Sequence, residues 1–85
     1  MNTPAPLPSF QSRVVPVVVV TDAAQAVPMA EALLAGGVDV IEITLRSAAG
    51  LAAIEAVAKA VPAMQVGAGT VTRASEVAQV LNAGA

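Results

Sequence analysis

The sequence predicts an α/β fold, the first three βα units of a (β/α)8 barrel, and three observations lead there. Apolar, β-branched runs alternate with stretches of helical periodicity in the order β-α-β-α-β-α. The connections are only a few residues long, which makes neighbouring strands parallel with right-handed crossovers. The second strand pattern, Val40-Ile41-Glu42-Ile43-Thr44-Leu45-Arg46, carries a polar row along one face. An open doubly wound sheet shares the same order, but both of its faces lie under helices, and Glu42 would be buried beneath one. In a barrel the row points inward, near the C-terminal strand ends where such folds place their sites. An unpaired buried carboxylate is costly, so the barrel is favoured.

Each element has a local cause. Residues 1–13 form a lead segment; prolines at 4, 6 and 8 oppose regular structure there, and a single turn of helix fits Phe10–Ser12. Val14–Val20 is a continuous β-branched run of the kind buried on both faces, with Pro16 placed near its start. Asp22 caps the following helix with Gln25 as its capping-box partner, and Ala26, Ala30, Leu33 and Leu34 form its buried stripe. Pro28 lies beyond the first turn and costs a hydrogen bond or a kink; Gly36-Gly37 ends the helix. Val38–Leu45 is the second strand. Ser47 caps a helix over 48–60 that buries Leu51, Ile54, Val57, Ala58 and Val61, and Pro62 closes it. Met64–Ala68 is a short third strand, with Gly67-Ala68-Gly69-Thr70 as the turn after it. Thr72 caps a third helix whose stripe is Val77, Ala78, Val80 and Leu81. Residues 14–85 thus form one partial (β/α)8 domain.

Composition excludes several function classes. The chain is 85 residues long, 56% hydrophobic and 12% charged, too apolar for disorder and very apolar for a free-standing small domain. Its net charge is −2 and no basic patch exists, so the footprint of a nucleic-acid binder is missing. With no Cys and no His, thiolate and imidazole chemistry and the usual zinc sites fall away, and no metal or cofactor is expected. Arg13, the Val14–Val20 run and Ala24-Gln25-Ala26 imitate a secretory signal. The run has only seven residues, includes Pro16 and is followed by Asp22 ahead of the supposed cleavage, which speaks against that reading. No apolar stretch approaches the ~20 residues of a membrane span. A cytoplasmic protein is expected.

The polar row carries the chemistry. Glu42 has Ile on both sides and few structural excuses, so it is the candidate acid/base. Thr44 shares its face, although strand propensity alone accounts for a threonine. Arg46 stands where the strand opens into a loop, suited to bidentate capture of a carboxylate or phosphate. The glycines at 67 and 69 let backbone approach an anion or simply make a tight turn; the third glycine of a dinucleotide fingerprint is missing. Lys59, the only lysine, sits four residues after Glu55 on a helix and reads as half of a surface ion pair.

Several segments occur together in one family's order and spacing: Val14-Val15-Pro16-Val17-Val18-Val19-Val20, Ala26-Val27-Pro28-Met29-Ala30, Ala35-Gly36-Gly37-Val38, Ile41-Glu42-Ile43-Thr44-Leu45-Arg46 and Val66-Gly67-Ala68-Gly69-Thr70-Val71. From Val14 to Ala85 the chain resembles the N-terminal part of the 2-keto-3-deoxy-6-phosphogluconate (KDPG) and 4-hydroxy-2-oxoglutarate (KHG) aldolases. That resemblance implies a homotrimeric (β/α)8 class I aldolase of the Entner–Doudoroff pathway that needs no cofactor. Such an enzyme forms a Schiff base with a keto-acid substrate and releases pyruvate and glyceraldehyde 3-phosphate. It further implies that Glu42 is the general acid/base, that Arg46 holds the pyruvyl carboxylate and that Thr70 lines the same pocket. The family's Schiff-base lysine and phosphate loops lie on later strands, so the chain reads as a C-terminally truncated enzyme, inactive alone. The alternatives are the first third of a different phosphate-handling barrel enzyme, or a non-catalytic half-barrel module.

Overall fold

The computed structural model describes residues 9–85. The irregular structure expected upstream of Ser9 lies outside the described residues. Strand β1 (Val17–Val18) leads through a 3-10 turn (Ala23–Gln25) into helix α1 (Ala26–Ala35). Strand β2 (Val40–Thr44), helix α2 (Gly50–Ala60), strand β3 (Gln65–Gly69) and helix α3 (Ala74–Ala83) follow. The strands form one parallel sheet in the order β1-β2-β3. Val17 stands opposite Glu42, and Glu42 stands opposite Gly67; at the C-terminal end Thr44 faces Gly69. Sequential order with like-handed crossovers puts all three helices in one layer, α2 between α1 and α3.

That layer covers one face of the sheet. Ile41 and Ile43 are fully buried there with Val20, Ala26, Ala30, Ala53, Ile54, Val57, Val80 and Ala83, and Leu45 packs on the margin. Burying each isoleucine contributes about 1.5–3 kcal/mol, which makes this single apolar seam the main stabilising element. The opposite face is bare on the β1 side, where Val17 and Val19 are about half exposed at 57% and 47%. The expected alternation along β2 is what the structure shows. Gly50 lets α2 start hard against β2: a β-carbon there would fall on the Thr44 carbonyl oxygen and lie 3.3 Å from Leu45 Cα.

Several local expectations are corrected. The Val14–Val20 run is strand only at Val17–Val18; the Pro16 carbonyl also accepts the Glu42 N–H at 2.9 Å, and the rest of the run is irregular. Phe10–Ser12 forms bends and no helical turn. The segment is instead clasped by Asp39, whose carboxylate accepts the Gln11 and Ser12 N–H groups at 2.7 and 2.9 Å. Asp22 caps the 3-10 turn by accepting the Ala24 N–H at 2.9 Å, and α1 proper begins at Ala26. Pro28 therefore falls in the first turn of α1, where its missing N–H has no helical partner to lose. Ser47 does not cap α2: its hydroxyl donates to the Val20 carbonyl, and Ala49 takes the cap position.

The C-terminal unit differs most. Gly67, Ala68 and Gly69 lie within β3, not in the turn beyond it. At Gly69 the lack of a side chain suits the crowding by Glu42 and Thr44, whereas the sequence pattern reads glycine as a strand breaker. Arg73, not Thr72, is the N-cap of α3. Glu76 organises that end by accepting the N–H groups of Thr72 and Arg73 at 2.9 and 3.1 Å, and these bonds hold its carboxyl below the usual range. Val80 and Ala83 are the buried residues of α3, while Val77 and Leu81 stand 47% and 62% exposed. The helix is rotated from the expected stripe because α2 is the only helix it packs against among the described residues.

Candidate active site

The site is built where β2 and β3 end side by side. Strand alternation sends Glu42 and Thr44 to the face away from the helices. Across the ladder the facing residues are Gly67 and Gly69, so nothing with a side chain opposes them on β3. The Glu42 carboxylate uses that space. A β-carbon at Gly69 would lie 2.5 Å from Glu42 Oε2 and 3.0 Å from its Cδ, but one at Gly67 would meet only the Ile41 carbonyl oxygen at 3.9 Å. The side chain thus leans past its register partner toward the C-terminal end of the sheet.

Glu42 is half-buried; its backbone N–H donates to the Pro16 carbonyl at 2.9 Å, and its carboxylate makes no hydrogen bond or ion pair among the described residues. Glu42 also borders a hollow of about 480 Å³ toward the N-terminal ends of β2 and β3, lined by Phe10, Val15, Val40, Met64, Gln65 and Ala85, on the side opposite to that toward which its carboxylate leans. Thr44 is the buried polar residue of the sheet, 1% exposed, and its hydroxyl has no partner among the described residues.

Arg46 and Thr70 do not border the hollow. Both follow the strand ends directly and are exposed, and the Leu45 N–H donates to the Gly69 carbonyl at 2.9 Å, which ties the two ends together. The guanidinium of Arg46 is unpaired among the described residues. Thr70 has a φ of 57°, the left-handed region that β-branched residues avoid. Holding it there costs ~1–3 kcal/mol, and such strain gathers at functional sites. Lys59 pairs with Glu55 at 2.7 Å on the solvent face of α2, as its spacing implies.

Sequence reasoning missed Gly69 as a strand residue and Asp39 as the clasp of the lead segment. Two glycines at i and i+2 opposite a glutamate and a threonine would have been the signal for the first. No group of three or more potential metal ligands occurs among the described residues. None of their helices is long and apolar enough to cross a membrane.

Comparison with known proteins gives the family. A family profile for KDPG and KHG aldolase matches residues 9–85. A 2-dehydro-3-deoxy-phosphogluconate aldolase of Pseudoalteromonas atlantica is 53% identical over 75 residues, covering 88% of this chain and 35% of the relative. The KHG/KDPG aldolase of Escherichia coli is 56% identical over 72 residues, covering 85% of this chain and 34% of the relative. The crystal structure of the Legionella pneumophila KDPG aldolase, with pyruvate captured at low pH as a covalent carbinolamine intermediate, superposes with a TM-score of 0.79. It is 41% identical and matches 84% of this chain and 34% of that one. The Zymomonas mobilis enzyme with 3-phosphoglycerate gives a TM-score of 0.75 at 50% identity, over 82% of this chain and 33% of that one. The chain spans about a third of the length of the relatives it matches. With a profile match over nearly its whole length and more than half of the aligned residues shared with these relatives, the chain belongs to the KDPG and KHG aldolase family.

Proposed function

We propose that this chain supplies the acid/base and carboxylate-binding part of a class I aldolase that cleaves 2-keto-3-deoxy-6-phosphogluconate. In this reading its three βα units are the first three of a (β/α)8 barrel. The observation that carries it is the Glu42 carboxylate, unpaired and seated over glycine at the C-terminal end of a parallel sheet. A carboxylate with neither an ion-pair partner nor a hydrogen bond is free to take and return a proton, as general acid/base work demands. Arg46 offers an unpaired guanidinium just beyond it, fit for the carboxylate of a 2-keto acid. Thr70 presents a hydroxyl at the end of the neighbouring strand. Family membership sets aside the alternative of an unrelated phosphate-handling barrel.

The nucleophile comes from outside these residues. Covalent catalysis on a ketone needs an amine of lowered pKa in an enclosed pocket. Lys59 is exposed, ion-paired and on the helix layer, remote from the face that carries Glu42. The 85-residue chain is therefore inactive by itself. The test is a hybrid in which the matched segment of the Escherichia coli relative is replaced by this one. The hybrid should cleave the substrate and be trapped by borohydride with pyruvate, and the 85-residue chain should do neither. A folded hybrid without activity, or a pyruvate adduct on Lys59 in the short chain, would overturn the proposal.

A further inference from the structure

Glycine at position 69 has no backbone reason. Its φ lies outside the left-handed region, unlike those of Gly37 and Gly84, so any residue could adopt its conformation. Nor does neighbouring backbone crowd it. The three atoms nearest to an added β-carbon all belong to side chains: Glu42 Oε2 at 2.5 Å, Glu42 Cδ at 3.0 Å and Thr44 Cγ2 at 3.2 Å. The missing side chain is the volume that the carboxylate occupies. Gly67, the true register partner of Glu42, leaves open space instead, so the carboxylate rests at a chosen place and not in the nearest gap.

We propose that Gly69 is the positioning residue for Glu42, a seat on β3 that fixes the carboxylate by shape, with the Thr44 methyl as its side wall. The inference rests on Glu42 being the acid/base. A glutamate has three rotatable bonds, and an acid/base must stay within hydrogen-bond reach of the reacting atoms. A guanidinium partner would fix it but would also hold it ionised. Van der Waals walls act equally on the carboxylate and the carboxylic acid, so a seat of this kind fixes the group while leaving both proton states open. Any side chain at 69 would push the carboxylate off its place.

Two measurements test this, one on the chain and one on turnover. In the 85-residue chain, Gly69→Ala should lower the denaturation midpoint slightly when residue 42 is Glu, the loss being small because the displaced carboxylate is the far end of a flexible side chain and swings aside. In a Glu42→Ala background the same change should leave the midpoint level or raise it, because alanine suits a strand better than glycine once the carboxylate has gone. An equal loss in both backgrounds would overturn the seat. In the hybrid enzyme, Gly69→Ala should lower kcat by ~10²-fold with KM little changed, the effect of ~1 Å misplacement. Adding Glu42→Asp, which withdraws the carboxylate by one methylene, should bring no further loss. An unchanged kcat in Gly69→Ala overturns the positioning role. If Glu42→Gln leaves turnover intact, the acid/base reading fails, and the stability coupling between 42 and 69 still reports the seat by itself.

Discussion

At the scale of single residues, the charge of each group follows from what surrounds it. Glu42→Gln in the hybrid enzyme should cut kcat by roughly 10²–10⁴ with a small change in KM, because the amide keeps the shape and cannot shuttle a proton. Arg46→Ala should do the reverse and raise KM for the keto acid; steady-state kinetics separates the two. Asp39 gives a pH-dependent effect. The backbone N–H of Gln11, then that of Ser12, hold its carboxyl below its ordinary 3.8. A group whose folded pKa is depressed adds stability above its unfolded value, and that contribution is lost as pH falls through the folded one. The protection of the Gln11 and Ser12 amides relative to their intrinsic exchange rates should therefore fall below about pH 4, and Asp39→Ala should show the lowered protection already at neutral pH. The placement of Glu42 on the face away from the helices could be read from the sequence, because alternation sends it opposite to its two isoleucine neighbours. Asp39 could not, since its partners are backbone groups nearly thirty residues away and leave no mark in the pattern.

At the scale of elements, caps and glycines decide the boundaries. Gly50→Ala should destabilise the chain by ~1–3 kcal/mol, because the new methyl meets the backbone of β2, which cannot swing aside like a side chain. Gly36→Ala, whose methyl would meet its nearest atoms at 3.5 and 3.6 Å, serves as the control and should cost far less in the same thermal melt. The order and type of every strand and helix were legible because the apolar runs are long. Boundaries were less so. Ser47 has the chemistry of a cap and spends its hydroxyl on Val20, and Thr72 yields the cap position to Arg73 while donating to Glu76. A tertiary partner wins at Ser47, whereas at Thr72 the competitor is itself local, Glu76 four residues on. Gly69 was misplaced for a different reason: glycine breaks strands on average, and the Glu42 side chain lying over it explains its place in β3.

For the molecule as a whole, the helices protect one face and leave the other open. Val17 and Val19 stand half exposed beside β1, and both outer strands have an unpaired edge among the described residues. Uncharged β-branched edges of this kind template further strands. At ~100 µM the chain should self-associate and bind an apolar dye, and Val19→Lys should lower both, since a charge blunts such an edge. Light scattering reads the first. A monomer with a cooperative melt and no dye binding would show three units to be sufficient in themselves. The parallel sheet was legible in the alternation of elements. The degree of exposure was not, because a sequence shows which residues are apolar and not which of them find cover.

The pairing order has a consequence in time. Every strand and every helix packs on its immediate predecessor, β1 on β2, β2 on β3, α1 on α2 and α2 on α3. Within the sheet and the helix layer each element waits only for the next unit, while the lead segment is clasped once Asp39 exists. β1, with two paired residues, gains its ladder only when Glu42 and Ile43 arrive. A nascent chain that leaves the ribosome from its N-terminus can therefore lay down structure in step with synthesis, each unit serving as the template for the one still being made.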